Sequence, residues 1–89
     1  MIRMFVRHPV TDYDKWRKAY DDFDAERSTM GCTGNAVYTA VDNKNDITLT
    51  HDFDSMEAAE TFMSSARLKE VMEGAGVAGP PTIWFTSPA

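Results

Sequence analysis

Asn35-Ala36-Val37-Tyr38-Thr39-Ala40-Val41, then Asp42-Asn43-Lys44-Asn45-Asp46, then Ile47-Thr48-Leu49-Thr50-His51-Asp52-Phe53 reads as two strands joined by a reversal. The first run is rich in Val, Tyr and Thr, which suit a pleated, half-buried surface. Asp and Asn in the middle tolerate left-handed backbone and favour a turn over 42–46. In the third run Ile47, Leu49, His51 and Phe53 alternate with Thr48, Thr50 and Asp52, the period of a strand with one face buried. The centre of the chain is therefore a β-hairpin.

On either side of it a strand and a helix recur. Ile2, Met4, Val6 and His8 alternate with Arg3, Phe5 and Arg7, and Pro9, which has no backbone donor, ends that first strand. Thr11 or Asp12 can cap a helix in which Tyr13, Trp16, Tyr20 and Phe23 recur every three or four positions. Gly31 and Gly34 bracket its exit. After the hairpin, Asp54 or Ser55 caps a second helix carrying Met56, Ala59, Phe62, Met63 and Ala66, with a last turn or two that brings Leu68, Val71 and Met72 inward. Gly74 and Gly76 stop it, and Pro80-Pro81 lead into a short strand over Thr82–Thr86. The order βαββαβ predicts one α+β domain over residues 1–89, a ferredoxin-like antiparallel sheet in the order 4-1-3-2 with both helices on one face.

Helices on one face leave the other open. The covered face takes Ile2, Met4, Val6, Ile47, Leu49, Phe53, Ile83 and Phe85. The open face holds Phe5, Tyr38 and Trp84 among Arg3, Arg7, Ala36, Ala40, Thr48, Thr50 and Thr82. Three large aromatics on an uncovered face are a patch that a monomer is expected to hide. A second copy, packed sheet to sheet about a twofold axis, hides it most economically, so the expected partner is the chain itself in a homodimer. The bland alternative is a monomer with a mildly apolar surface.

Composition narrows the function without naming it. A net charge of −5 and no Lys/Arg cluster argue against nucleic acid and anionic lipid as partners. A single cysteine, Cys32, excludes an internal disulfide and a thiolate-rich metal site, which fits a reducing compartment. The first seven residues carry charge inside their apolar run, so neither a signal peptide nor a membrane span is expected and the cytoplasm is the default. Gly74-Ala75-Gly76-Val77-Ala78-Gly79 spells GxGxxG, but a helix precedes it and prolines and a strand follow, the reverse of what a dinucleotide site needs.

His8 and His51 share the helix-facing parity of their strands. Antiparallel pairing of the first and third strands sets them at opposite ends of the sheet, and no third ligand converges on either, so no metal is expected. Each alone can serve as a base at the mouth of a cavity, since imidazole titrates near neutrality. Otherwise each is a half-exposed, hydrogen-bonded strand-end histidine. His8 is the stronger candidate, because Pro9 turns the chain directly into the helix bearing Tyr13 and Trp16, which can stack on a flat ligand. The stripe Tyr13, Trp16, Tyr20, Phe23 can line a pocket or simply fill the core. Arg67 can hold a carboxylate or enolate, or stand solvated.

The strand followed by His8-Pro9-Val10-x-Asp12-Tyr13-Asp14-x-Trp16, the run Asp52-Phe53-Asp54-Ser55-x-Glu57-Ala58-Ala59-x-x-Phe62-x-x-Ser65, then Leu68-x-Glu70 and Gly79-Pro80-Pro81 resemble the antibiotic biosynthesis monooxygenase-like group of dimeric α+β barrel proteins, which includes cyclase-like members. The resemblance spans nearly the whole chain. It implies a homodimer with a cavity between helices and sheet in each subunit. It also implies oxidation or cyclisation of an aromatic or polyketide-like substrate, in some members with dioxygen and no metal or flavin. Family oxygenases often carry Trp and His at positions that correspond here to Phe53 and Phe62. On that reading His8 is the base, Tyr20 or Arg67 holds the resulting anion, and Tyr13, Trp16, His51, Phe53, Phe62 and Met63 bind substrate, with no cofactor. The alternative is a non-catalytic ligand-binding or structural dimer.

Overall fold

The computed structural model describes all 89 residues, Met1–Ala89. Its elements run β1 (Ile2–Pro9), α1 (Tyr13–Asp22), α2 (Asp24–Thr29), β2 (Gly34–Ala40), β3 (Asn43–Phe53), α3 (Met56–Met63), α4 (Ala66–Gly74) and β4 (Thr82–Thr86). The four strands form one antiparallel sheet in the order β2-β3-β1-β4, the expected ferredoxin-like arrangement. Register fixes the faces. Met4 lies opposite His51 and Phe85, Val6 opposite Leu49 and Ile83, and His8 opposite Ile47. A one-residue slip would exchange this set for Phe5, Arg7 and Thr50.

Met4, Val6, Ile47, Leu49 and Phe53 are buried against Trp16, Tyr20 and Phe23 of the first helical arm and Ala59 and Phe62 of α3. Asp12, not Thr11, caps α1: its carboxylate accepts from the backbone N–H of Asp14 at 3.0 Å and of Lys15 at 3.3 Å. Ser55, not Asp54, caps α3. Replacing Asp12 with Ala is expected to cost about 1 kcal/mol and to lower the melting temperature by roughly 4–8 °C, read from thermal unfolding by circular dichroism.

The structure departs from the sequence reading at four places. The reversal is shorter than 42–46: Ala40 pairs with Asn43, a bulge at Thr39/Ala40 absorbs the irregularity, and β3 begins at Asn43. Asn45, read as turn, accepts the N–H of Tyr13 on its side chain and of Val10 on its carbonyl, tying β3 to the start of α1. The first helix breaks at Phe23 and resumes as α2, and the second breaks at Ser64-Ser65, where Ser65 caps α4. Phe85 keeps the covered-face parity but lies on the edge strand β4 and is exposed.

The GxGxxG run closes α4 instead of opening a helix. Gly76 has a φ of 80°, and a Cβ there would stand 2.8 Å from the Thr11 hydroxyl, so the position needs glycine. Its carbonyl accepts the Thr11 N–H, which pins the end of α4 to the β1–α1 corner. No helix is long and apolar enough to cross a membrane.

Candidate functional site

Between the sheet and the helices lies a cavity of about 660 Å³. Met4, Val6, Leu49 and Ile83 make its floor, Trp16 and Tyr20 one wall, Phe62 another. Its far side is α4, which supplies Leu68, Val71 and Met72 but buries none of its own residues. An apolar cavity of this size, with a few convergent polar groups, is the ordinary form of a small-molecule site.

Both histidines face into it and both are buried, at 3% exposure for His8 and 5% for His51, rather than half-exposed at strand ends. The register separates them by four residues along neighbouring strands, about 13 Å at about 3.3 Å per residue. The His8 ring meets the Trp16 ring edge-on, with centroids 5.8 Å apart. Its Nδ1 lies 3.2 Å from the carbonyl oxygen of Pro9, and the tautomer that satisfies this contact donates Nδ1–H and leaves a lone pair on Nε2. Burial lowers the His8 pKa, against a smaller raising effect of that carbonyl. His51 is packed between Tyr20, Phe53 and Phe62. Burial, and then the charge of Arg27, lower its pKa to about 4. Both imidazoles are neutral at neutral pH.

Tyr20 is also in the wall. Its hydroxyl donates to Oδ1 of Asn35 at 2.6 Å, and burial raises its pKa, so the phenol stays protonated. The Arg27 guanidinium stacks on the other side of this site, 3.9 Å from the Tyr20 ring centroid, and donates to the Tyr20 carbonyl and to Asp24. Arg27 has only 4% of its side chain exposed and lines the cavity, a place that the sequence analysis does not assign it. The signal was there: the spacing of Tyr13, Trp16, Tyr20 and Phe23 continues to position 27, which puts a cation on the buried stripe.

Trp16, His51, Phe62 and Met63 line the cavity with His8 and Tyr20; Tyr13, Phe53 and Arg67 do not. Arg67 sits on the outer side of α4, where it donates twice to the Glu26 carboxylate, at 2.8 and 3.1 Å, and once to Glu70. A guanidinium already clamped on carboxylates outside the cavity is not placed to hold an anion within it. Phe53 is fully buried beneath the site, its ring 5.2 Å from Phe62, and Tyr13 packs at the cavity's flank under Lys44. The Cys32 thiol donates to the Gly34 carbonyl and burial pushes its pKa up, so it is a poor nucleophile. Asp52 turns to the opposite face, paired with Arg3, and leaves His51 unoriented by any carboxylate. No group of three or more His, Cys, Asp or Glu side chains stands where it could hold a metal.

The chain shares its ferredoxin-like fold over its full length with several solved structures of antibiotic biosynthesis monooxygenases. A candidate antibiotic biosynthesis monooxygenase from Bordetella bronchiseptica superposes with a TM-score of 0.87 at 17% identity, over 99% of this chain and 96% of that one. SnoaB, a cofactor-independent oxygenase from Streptomyces nogalater, superposes at 0.79 and 10% identity, over 99% and 93%. A monooxygenase from Streptomyces coelicolor, solved with the ligand nanaomycin D, does so at 0.70 and 17%, over 99% and 87%. No family model matches the sequence, and no curated protein matches it either. The likeness is one of fold.

Proposed function

We propose that the chain acts as a cytoplasmic homodimer whose subunits each bind a flat aromatic or polyketide-like molecule in the cavity and oxidise or cyclise it without a prosthetic group. The observation that carries this reading is His8: a neutral imidazole in the wall of a large apolar cavity, edge-on to Trp16, with Nδ1 engaged by Pro9 and Nε2 left to accept a proton. A base of lowered pKa stays unprotonated at neutral pH. With an anthrone as substrate, His8 takes a proton from the acidic ring methylene. The carbanion passes an electron to dioxygen, and the radical pair joins as a peroxide. The imidazolium returns its proton, and loss of water leaves a ring carbonyl, so one dioxygen is consumed and one water released per methylene oxidised. The apolar walls lower the polarity around the anion.

Oxygen uptake with a panel of anthrones and quinols tests this. The parent is expected to consume oxygen and His8→Gln to do so about 100-fold more slowly, as for loss of a general base. Equal rates in both would remove His8 from the chemistry. A second reading, a non-catalytic ligand-binding dimer, is favoured by one feature: Phe53 and Phe62, at positions where such oxygenases often carry Trp and His, offer only hydrocarbon beside His51. Saturable binding of the same compounds with no oxygen uptake by the parent would select it.

A further inference from the structure

Two polar atoms at the Arg27 end of the cavity are buried and without a partner: Nε of Arg27 and Nδ1 of His51. The first is a donor that keeps its proton; the second donates or accepts according to tautomer. Both side chains flank the Tyr20 ring, the guanidinium carbon at 3.9 Å and the His51 ring at 6.3 Å from its centroid. With the proton on Nδ1, the two atoms would be two buried orphan donors, and each buried orphan is costly. With the proton on Nε2, the corner holds one orphan donor and one orphan acceptor, and the guanidinium charge no longer shares it with a second buried N–H. The charged groups acting on His51 are Arg27 and Asp52, and Asp52 faces away, held by Arg3. Of the two, Arg27 is the one that lines the cavity.

We infer that Arg27 holds His51 as its Nε2–H tautomer, and that His51 presents this N–H to a carbonyl or phenolate oxygen of the ligand. The inference deepens the function proposed above and rests on it in taking the cavity as the ligand site. Arg27 is a positioning residue; His51 is the group that touches the ligand. The cavity is then polarised. His8, its Nδ1–H committed to Pro9, offers an acceptor at one end, and His51 offers a donor about 13 Å away along the strands. The ligand class follows: a fused-ring compound with an ionisable O–H or C–H at one end and an oxygen acceptor at the other.

Nitrogen-15 NMR of the two histidines in the full chain at neutral pH is expected to show His51 bare at Nδ1 and protonated at Nε2, and Arg27→Lys to shift His51 toward a tautomer mixture. Two probes read the ligand preference by fluorescence titration: 6-hydroxy-2-naphthaldehyde, with a donor and an acceptor at opposite ends, and 2-naphthol, which lacks the acceptor. The parent is expected to bind the aldehyde roughly tenfold more tightly, as for one hydrogen bond, and His51→Phe to lose that preference. The tautomer measurement needs no variant, so a misfolded His51→Phe leaves it standing. Protonated Nδ1 in the parent, an undiminished preference in folded His51→Phe, or failure of either probe to bind overturns the inference. Oxygen uptake dependent on His8 but without acceptor preference would refute this inference alone; the tautomer and the preference without oxygen uptake would refute only the proposed chemistry.

Discussion

Taking the pH from 6.5 down to 4 is expected to remove about 3 kcal/mol of folding stability through His51 alone. Its folded pKa is depressed to about 4 from 6.5. As the pH falls below 6.5, the unfolded chain takes up a proton that the folded chain refuses, so each step of acid favours unfolding. The loss is complete only when the folded state also protonates, near pH 4. His8, lowered chiefly by burial, adds to the loss in the same direction. Asp46 and Asp52, lowered by hydrogen bonds from Arg7 and Arg3, lose their contribution only as the pH drops below the ordinary carboxylate range, which separates the two windows. A domain of this size has roughly 4–13 kcal/mol in all, so the histidine step is a large share. Urea unfolding at a series of pH values checks it. His51→Leu should flatten most of the slope between 6.5 and 4; a parent whose midpoint does not move over that window would contradict the burial of a neutral ring.

How much of this was legible in the sequence varied with the physics of each element. Strands with period-two alternation set their own faces, so the partition of Met4, Val6, Leu49 and Ile83 from Phe5, Arg7, Thr50 and Trp84 followed from the residues and survives in the register. The order of strands followed from the repeat of strand and helix in βαββαβ. Breaks within helices did not follow. Phe23 and Ser64-Ser65 carry no glycine or proline, and at the second break the Ser65 side chain caps α4. The depth of His8 and His51 was illegible for a different reason: parity gives the side a ring faces, while burial depends on helices that only the folded chain places. Arg67 and Arg27 were exchanged in weight for the same reason. Arg67, on the outer side of α4, found Glu26 across the fold, 41 residues away in sequence, whereas Arg27 continued an apolar stripe whose last member was charged.

Trp84→Glu is expected to convert the proposed homodimer, of twice 10.0 kDa, into monomers at micromolar concentration, as light scattering would show. The grounds lie in the face that the helices leave bare. Phe5 and Trp84 stack across β1 and β4 with centroids 5.2 Å apart and planes within 4°, while Trp84 is 41% and Tyr38 60% exposed. The charges on this face are already paired within the chain: Arg3 makes two hydrogen bonds with Asp52, and Arg7 two with Asp46. A surface that meets its own copy about a twofold axis must be self-complementary, and any unpaired charge on it near that axis meets its own like. The net charge of −5 is therefore carried elsewhere, and the open sheet is a neutral, aromatic plate. One glutamate at position 84 breaks this twice over, since symmetry places two new carboxylates in the same dry interface, each without a partner. The variant should keep its fold, because position 84 lies on an edge strand outside the core, and the cavity should keep its ligand affinity. A parent that is itself a 10.0 kDa particle, with Tyr38 and Trp84 in contact with water, would end the dimer proposal and leave the cavity to work within a single subunit.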